Sequence, residues 1–408
     1  MLPIINYNNF VDNKPIIFRL AHGLILLIIL LIFTYTLNSP TQNWDMLGYA
    51  ASATSLENTD KNYIHSTIYK QFKEYATDEE YQELTTGHSY RETMLVDPEA
   101  FSQQIPFYEI RIMFTLLILG LVKMGVNIFV ASHIVTAVLT CTGFLLYFYV
   151  FKKYIHPFFW LIIPIFFIIF GVHDVAKIVT ADSLAFFWMG LICFAFLKEK
   201  WWAVFPLLII SVLVRTDMIL LVAFFTFYLF MFKDGLRVAS VLTLLLSIGV
   251  YLFINNYTGN YGWSTVFYYA LVSDMKATHP EVYSSYGISL KQYFYALLSN
   301  LSLFLHDIPT LLFEAVVFLQ INIQLLSRKT GTSLTTLFYD SLAKPMFVLT
   351  LISILYVLSH YLLFPLFDSR FFVGQYMIVG LVLLVTITRL IEKRVEVEKA
   401  NQKLILKD

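Results

Sequence analysis

Carboxylates, guanidinium groups and imidazoles stand where the apolar runs of this chain stop. Asp45 follows the first run, in "NWDMLGYAASA". Glu109 and Arg111 open another, and His173, Asp174, Lys177 and Asp182 surround a turn between two more. Arg215 and Asp217 separate two short runs, and Lys276 and His279 lie in a late loop. His306, Asp307 and Glu314 interrupt a run, and Asp368 and Arg370 precede the last one. A carboxylate within reach of a hydroxyl takes its proton. Cations at fixed positions hold a phosphate. Any single member of this set is equally well read as an interfacial anchor. Charges at membrane depth are costly and face a cavity or one another, so the whole set on one face points to a shared cavity.

The elements that must position these residues are membrane helices. The chain has 408 residues, 58% hydrophobic and 14% charged, against about half and a quarter in soluble domains. One globular core cannot hide that excess, so the class is an all-α polytopic membrane protein. The formal net charge of zero gives no electrostatic case for nucleic acid. Cys141 and Cys193 both lie in apolar runs without metal-ligand spacing. The first run is too long for a signal-peptide core and reads as a retained helix.

The apolar runs predict about ten spans, at 16–37, 127–151, 157–175, 181–197, 201–215, 217–232, 236–255, 296–326, 343–364 and 370–389. Cytoplasmic loops carry the Lys and Arg. Lys152/Lys153, Lys198/Lys200, Lys233/Arg237, Arg328/Lys329 and the tail from Arg389 fall on alternate turns, and Lys14 and Arg19 put the N-terminus on that side. This alternation holds only if 107–126, apolar enough to span, is instead a helix that lies at the outer surface or dips in and out. Residues 38–126 then form one outer loop with twelve acidic and six basic residues. A second outer loop covers 256–295, and 391–408 is a charged cytoplasmic tail.

Several of these stretches resemble the GT-C glycosyltransferases, membrane enzymes that use polyprenyl-phosphate sugars; protein O-mannosyltransferases and lipid A aminoarabinose transferases belong to that superfamily. "NWDMLGYAASA" is similar to their first outer element, with Asp45 and Tyr49 in place. "FYEIRIMFTLLILGLVKMGVN" resembles the juxtamembrane helix that closes with a Gly, here Gly125. "KIVTADSLAFFWMGL", "SVLVRTDMILL" and "FDSRFFVGQYMIVGLVLL" look like later outer turns, with Asp182, Arg215 and Arg370. The resemblance covers roughly residues 16–390 in short, degenerate elements. The usual acidic pair is absent, since Met46 follows Asp45, and Ile112 stands where many relatives have Pro.

The resemblance implies a GT-C-like domain over 1–390 and an inverting sugar transfer at an extracytoplasmic site, in a bacterial inner (plasma) membrane with both termini cytoplasmic. Asp45 is the expected base, and Asp182 orients it or the acceptor. Arg370, Arg215 and Lys276 are expected at the donor phosphate, with His279 joining if the late loop closes; Tyr49, Glu109 and Arg111 complete the substrate-binding set. The partners implied are a polyprenyl-phosphate sugar, membrane lipid and an acceptor the sequence does not name. The resemblance fixes no cofactor; a divalent cation shared by Asp45 and Asp182 stays an option, because members of the superfamily differ in metal dependence. Asp45 is also an expected cap of a helix starting near Met46, and Asp182 of its own helix. A lipid or solute transporter with an outer vestibule is the alternative, although no repeat halves or paired broken helices are evident.

Overall fold

The computed structural model describes residues 14–273, 275–326 and 344–405. Arg328 and Lys329 lie outside them. The described chain is 82% helical without a strand. Its helices are α1 (Lys14–Asn38), α2 (Trp44–Ser55), α3 (Lys61–Tyr75), α4 (Asp78–Thr85), α5 (Ser89–Val96), α6 (Pro98–Ser102), α7 (Pro106–Glu109) and α8 (Ile112–Lys123). There follow α9 (Ile128–Phe151), α10 (Ile163–Ile169), α11 (Val172–Lys177), α12 (Asp182–Leu197), α13 (Trp201–Val214), α14 (Ile219–Phe232) and α15 (Arg237–Tyr257). The last are α16 (Trp263–Phe267), α17 (Leu290–His306), α18 (Ile308–Leu326), α19 (Pro345–Leu363) and α20 (Val373–Ile405).

Five helices among the described residues are long and apolar enough to cross a membrane: Arg19–Asn38, Ile128–Phe151, Asp234–Tyr257, Pro345–Leu363 and Ser369–Val397. Two sharply bent pairs raise the number to seven if each is one span, Pro98–Glu109 with Ile112–Lys123 at 109° and Leu290–His306 with Ile308–Ile323 at 77°. Four further apolar helices have only 10–17 residues, below the roughly 20 a straight span needs. Their shortness has local causes. Gly171, at φ +73°, turns the chain between α10 and α11, and the buried Arg215 sits in extended backbone between α13 and the next helical turn. The charged tail does not begin a new element, since α20 runs unbroken from Val373 to Ile405.

Contacts divide the bundle into two ends. At one, His133 Nε2 lies 3.3 Å from Gln42 Oε1, Asn43 Nδ2 donates to Val179 O (3.3 Å), and Thr41 bridges Ile178. At the other, His22 packs edge-on against Phe148 and Trp160, His156 N–H donates to Thr388 Oγ1, and Lys233 Nζ is 3.9 Å from Glu199 Oε1. Lys152, Lys198 and Lys233 therefore gather at the end opposite Asp45.

The outer loop of the sequence reading is a stack of short helices with its own apolar filling, including Ile68, Phe72 and Phe101. Their starts are capped. Asp60 accepts from Asn62 and Tyr63 N–H, and Thr77 with Glu80 closes a reciprocal capping box. The segment 107–126 lies among these helices: Thr115 contacts Ser52, Phe114 meets the Tyr49 ring, and Lys123 pairs with Glu57. It enters beside Asp45 through Tyr108 and leaves into α9, whose Phe129 stacks on Tyr75.

Candidate active site

Asp45 is the second residue of α2, and Asn43, not Asp45, is the N-cap; no side chain caps that end. The capping expectation for Asp45 fails because the helix starts at Trp44, ahead of Asp45, which therefore lies inside its first turn. Asp45 Oδ1 accepts from Tyr108 Oη (3.1 Å), and Oδ2 accepts from Arg370 Nη1 (3.2 Å). Tyr108 approaches so closely because residue 48 is glycine: a Cβ there would overlap the tyrosine ring.

Arg370 sits in the helical turn Ser369–Phe372, which Asp368 starts by accepting the Arg370 N–H (3.1 Å). Asp368 Oδ2 also lies 2.7 Å from Arg370 Nε, out of line for a hydrogen bond, and Asp182 Oδ2 is 3.6 Å from the same atom. Burial pushes the Asp368 carboxyl above the usual carboxylate range, with Arg370 opposing it.

Asp182 opens α12, whose N-cap is Ala181, so it is not a side-chain cap either. Its Oδ1 pairs with Arg215 Nη1. Arg215 grips Asp217 with two prongs, Nε–Oδ1 at 3.0 Å and Nη2–Oδ2 at 2.8 Å. Asp217 Oδ2 also accepts from Tyr356 Oη (2.7 Å) and lies 3.2 Å from His360 Nε2. The Phe371 ring stands between the two guanidinium groups, 4.8 Å from Arg215 and 5.5 Å from Arg370. One continuous network thus runs from Asp45 through Arg370, Asp182, Arg215 and Asp217 to His360.

Accessibility divides that network. The side chains of Asp45 and Arg370 are 29% and 25% exposed, whereas Asp182 and Arg215 are 7% and 6%. The Asp45–Arg370 pair is thus part-open and the Asp182–Arg215 pair lies behind it, while Asp217, 24% exposed, is about as open as Arg370. This corrects the expectation for Arg215. Its guanidinium is buried and engaged by two carboxylates, so it holds Asp182 in place and is not presented to a donor phosphate.

The other expected residues are distributed around this centre. Tyr49 is buried, and its Oη accepts from Ala181 N–H (3.3 Å), tying α2 to the start of α12. Burial pushes the Tyr49 hydroxyl up to about 12, with Arg111 opposing and Asp45 reinforcing the shift. Glu109 accepts from Ser55 Oγ (2.5 Å), and Arg111 Nη1 donates to Phe107 O (2.6 Å). His279 is not brought to Asp45: its Nε2 is 3.5 Å from Asp97 Oδ2 on the first loop. Lys276 belongs to the same docked strap, which Gln104 holds through the carbonyls of Ala277 and Thr278. Tyr269 Oη donates to Gln104 Oε1 (3.0 Å) and stacks on Phe107 beside Tyr108.

Tyr108, Tyr356 and His360 were not singled out in the sequence. The available signal was His360 itself, an ionisable residue inside an apolar run, with Tyr356 one turn before it on the same face. No described group of three or more His, Cys, Asp or Glu side chains has metal-site geometry. Asp45 and Asp182 do not fit a shared cation, because the Arg370 guanidinium lies between them and already supplies the positive charge.

No family model, no curated protein and no solved structure matches the chain.

Proposed function

We propose that the chain is a GT-C-type glycosyltransferase that moves a sugar from a polyprenyl-phosphate donor to an acceptor hydroxyl outside the cytoplasm. The observation that carries this reading is a part-open carboxylate, Asp45, oriented by Tyr108 and Arg370 at one end of a bundle of apolar helices. An ionised carboxylate has about four lone-pair positions, so two hydrogen bonds leave room for an acceptor hydroxyl. In the proposed step Asp45 takes the hydroxyl proton while the oxygen attacks the anomeric carbon. The bond from that carbon to the phosphate oxygen breaks, and the configuration inverts. The leaving polyprenyl phosphate keeps the bonding electron pair and needs a cation, not an acid.

Arg370 is the more accessible guanidinium of the network, part-buried at 25% exposure, and the candidate for that phosphate. Of its five N–H donors, one makes an aligned side-chain hydrogen bond among the described residues, to Asp45. Asp182 and Asp368 flank it, and Arg215 fixes Asp182. A donor phosphate entering here must displace a carboxylate contact, which favours a product that leaves readily.

The reading takes the five long helices, the four short apolar ones and the bent pair at 290–323 as ten spans, with the first pair lying at the outer surface. The gathering of Lys152, Lys198 and Lys233 opposite Asp45 supports a cytoplasmic position for those lysines. The prenyl tail would stay in the bilayer while its phosphate reaches Arg370. The alternative, a lipid or solute transporter, is less well supported: among the described residues the network goes no deeper along α19 than Tyr356. Incubating purified protein with a radiolabelled polyprenyl-phosphate sugar in lipid discs tests the choice. Release of polyprenyl phosphate with label in an acceptor supports transfer; retention of intact donor under all acceptors tried would sink it.

A further inference from the structure

The end of the bundle opposite Asp45 carries a second cluster that the proposed reaction does not use. The C-terminal ends of α9 and α12 come together there around a cleft of about 180 Å³ lined by Tyr149, Lys152, Lys153, Tyr154, Phe194 and Lys198. That volume is below the roughly 300–1,000 Å³ of small-ligand pockets, so the cleft has room for a phosphate group and not for a whole lipid. Helix α9 has 24 residues and so places this cleft roughly 36 Å from its start near Gln42. That separation is slightly more than the hydrocarbon thickness of about 30 Å. Both clusters therefore sit at membrane–water boundaries, on opposite sides.

The charge at this cleft is uncompensated. Lys152 Nζ stands over the Tyr149 ring at 4.9 Å, and Lys153 Nζ over Tyr154 at 4.3 Å. Among the described residues neither they nor Lys198 has a carboxylate within ion-pair distance, whereas Lys233 and Arg237 nearby pair with Glu199 and Asp234. The two helix ends contribute roughly half a negative charge each. Three full positive charges outweigh them, leaving a net of about +2. The cleft thus offers ammonium donors on its aqueous side and aromatic and aliphatic surface on its inner side. That two-sidedness matches a charged headgroup attached to apolar chains.

We propose that this cleft binds the headgroup phosphate of an anionic phospholipid, with the glycerol against Tyr149 and Phe194 and the acyl chains along the outer surface of α9. Basic pockets between membrane helices recognise anionic headgroups in this way. A lipid fits better than a free phosphate, which would use the lysines but leave the aromatic wall unfilled.

Native mass spectrometry of the full-length protein in detergent tests this, with dioleoyl phosphatidylglycerol as probe and dioleoyl phosphatidylcholine as the neutral-headgroup comparison. Phosphatidylglycerol should be retained preferentially. The triple variant Lys152→Gln/Lys153→Gln/Lys198→Gln should bind it about 100-fold more weakly, at about fivefold per lysine. Changing the same three residues to Arg should keep binding, and Lys61→Gln/Lys70→Gln/Lys73→Gln in the first loop should leave it unaltered. Equal retention by wild type and the Gln variant would overturn the proposal. So would loss in the Arg variant, or displacement of the lipid by inorganic phosphate at comparable concentration, which would make the site one for a soluble anion.

Discussion

Arg370 Nη1 lies 3.2 Å from Asp45 Oδ2, although 325 positions separate the two residues. The contact closes the molecule: helix α2 meets the turn before the last long one. Because Asp182 and Asp368 reach the same guanidinium from other directions, the planar fork and not the charge alone sets the arrangement.

Arg370→Lys tests that statement. Lysine keeps the charge but loses the rigid, multi-donor geometry. The variant is expected to fold, to raise the KM for a polyprenyl-phosphate sugar, and to lower kcat less. An unchanged KM in a transfer assay would show that the guanidinium does not contact the donor.

Arg215 is expected to matter for stability before activity. Its side chain is 6% exposed between Asp182 and Asp217. Arg215→Met leaves the buried Asp182 with only the more distant Arg370, and the part-buried Asp217 with His360 and Tyr356; loss of a buried partner costs up to about 3–5 kcal/mol. Lys61→Met removes an ion pair whose members are 55% and 49% exposed and should cost less than about 1 kcal/mol. Thermal unfolding of the two variants in detergent, compared side by side, checks the difference.

Gly48→Ala should act on Asp45 through Tyr108. The added methyl overlaps the tyrosine ring, and overpacking of this kind costs about 1–3 kcal/mol. Tyr108→Phe removes only the hydroxyl that donates to Asp45 and should be milder in stability. Both should slow transfer if the Asp45 orientation matters; wild-type rates in Tyr108→Phe would mean the hydrogen bond is dispensable.

The sequence made the helical membrane class legible, and it made Asp45, Asp182 and Arg370 legible as ionisable residues at the ends of apolar runs. The structure brings these three together. Burial was not legible, because Arg215 and Arg370 look alike in sequence: each is an arginine at the end of an apolar run. What separates them is that Arg215 lies behind Asp182, a tertiary fact. His360 and Tyr356 were hidden in a run whose hydropathy fits a span. Tyr108 has no chemical marker until Gly48 lets it approach. His279 was placed by its loop alone, and docking to Asp97 takes it elsewhere.

Membrane sidedness gives a further test. His88 is the N-cap of α5 in the first loop, and Lys153 lies just past the far end of α9. Single cysteines at 88 and 153, in a background with Cys141 and Cys193 replaced by alanine, should respond differently to a membrane-impermeant thiol reagent in intact cells. Position 88 should be modified and position 153 protected until the membrane is permeabilised. Modification of both from outside would place the two clusters on one side and remove the surface-helix reading of 107–126.

Asp45→Asn is the most direct test of the chemistry. The amide keeps the shape of the side chain and can still accept from Tyr108 or Arg370 through its one oxygen. It cannot take a proton from a hydroxyl. Asp45 does not cap α2, so loss of a cap cannot explain any effect of the change. If Asp45 is the base, the variant should fold, retain the donor, and lose about 10²–10⁴-fold in rate. Thermal unfolding and donor retention measured on the same preparation separate this from a loss of the Arg370 contact, which would lower both. Near-wild-type turnover by a folded Asp45→Asn protein would leave the carboxylate as the partner of Arg370 alone. The base would then have to be sought among the other exposed groups around that guanidinium, with Asp368, 40% exposed, the first to examine.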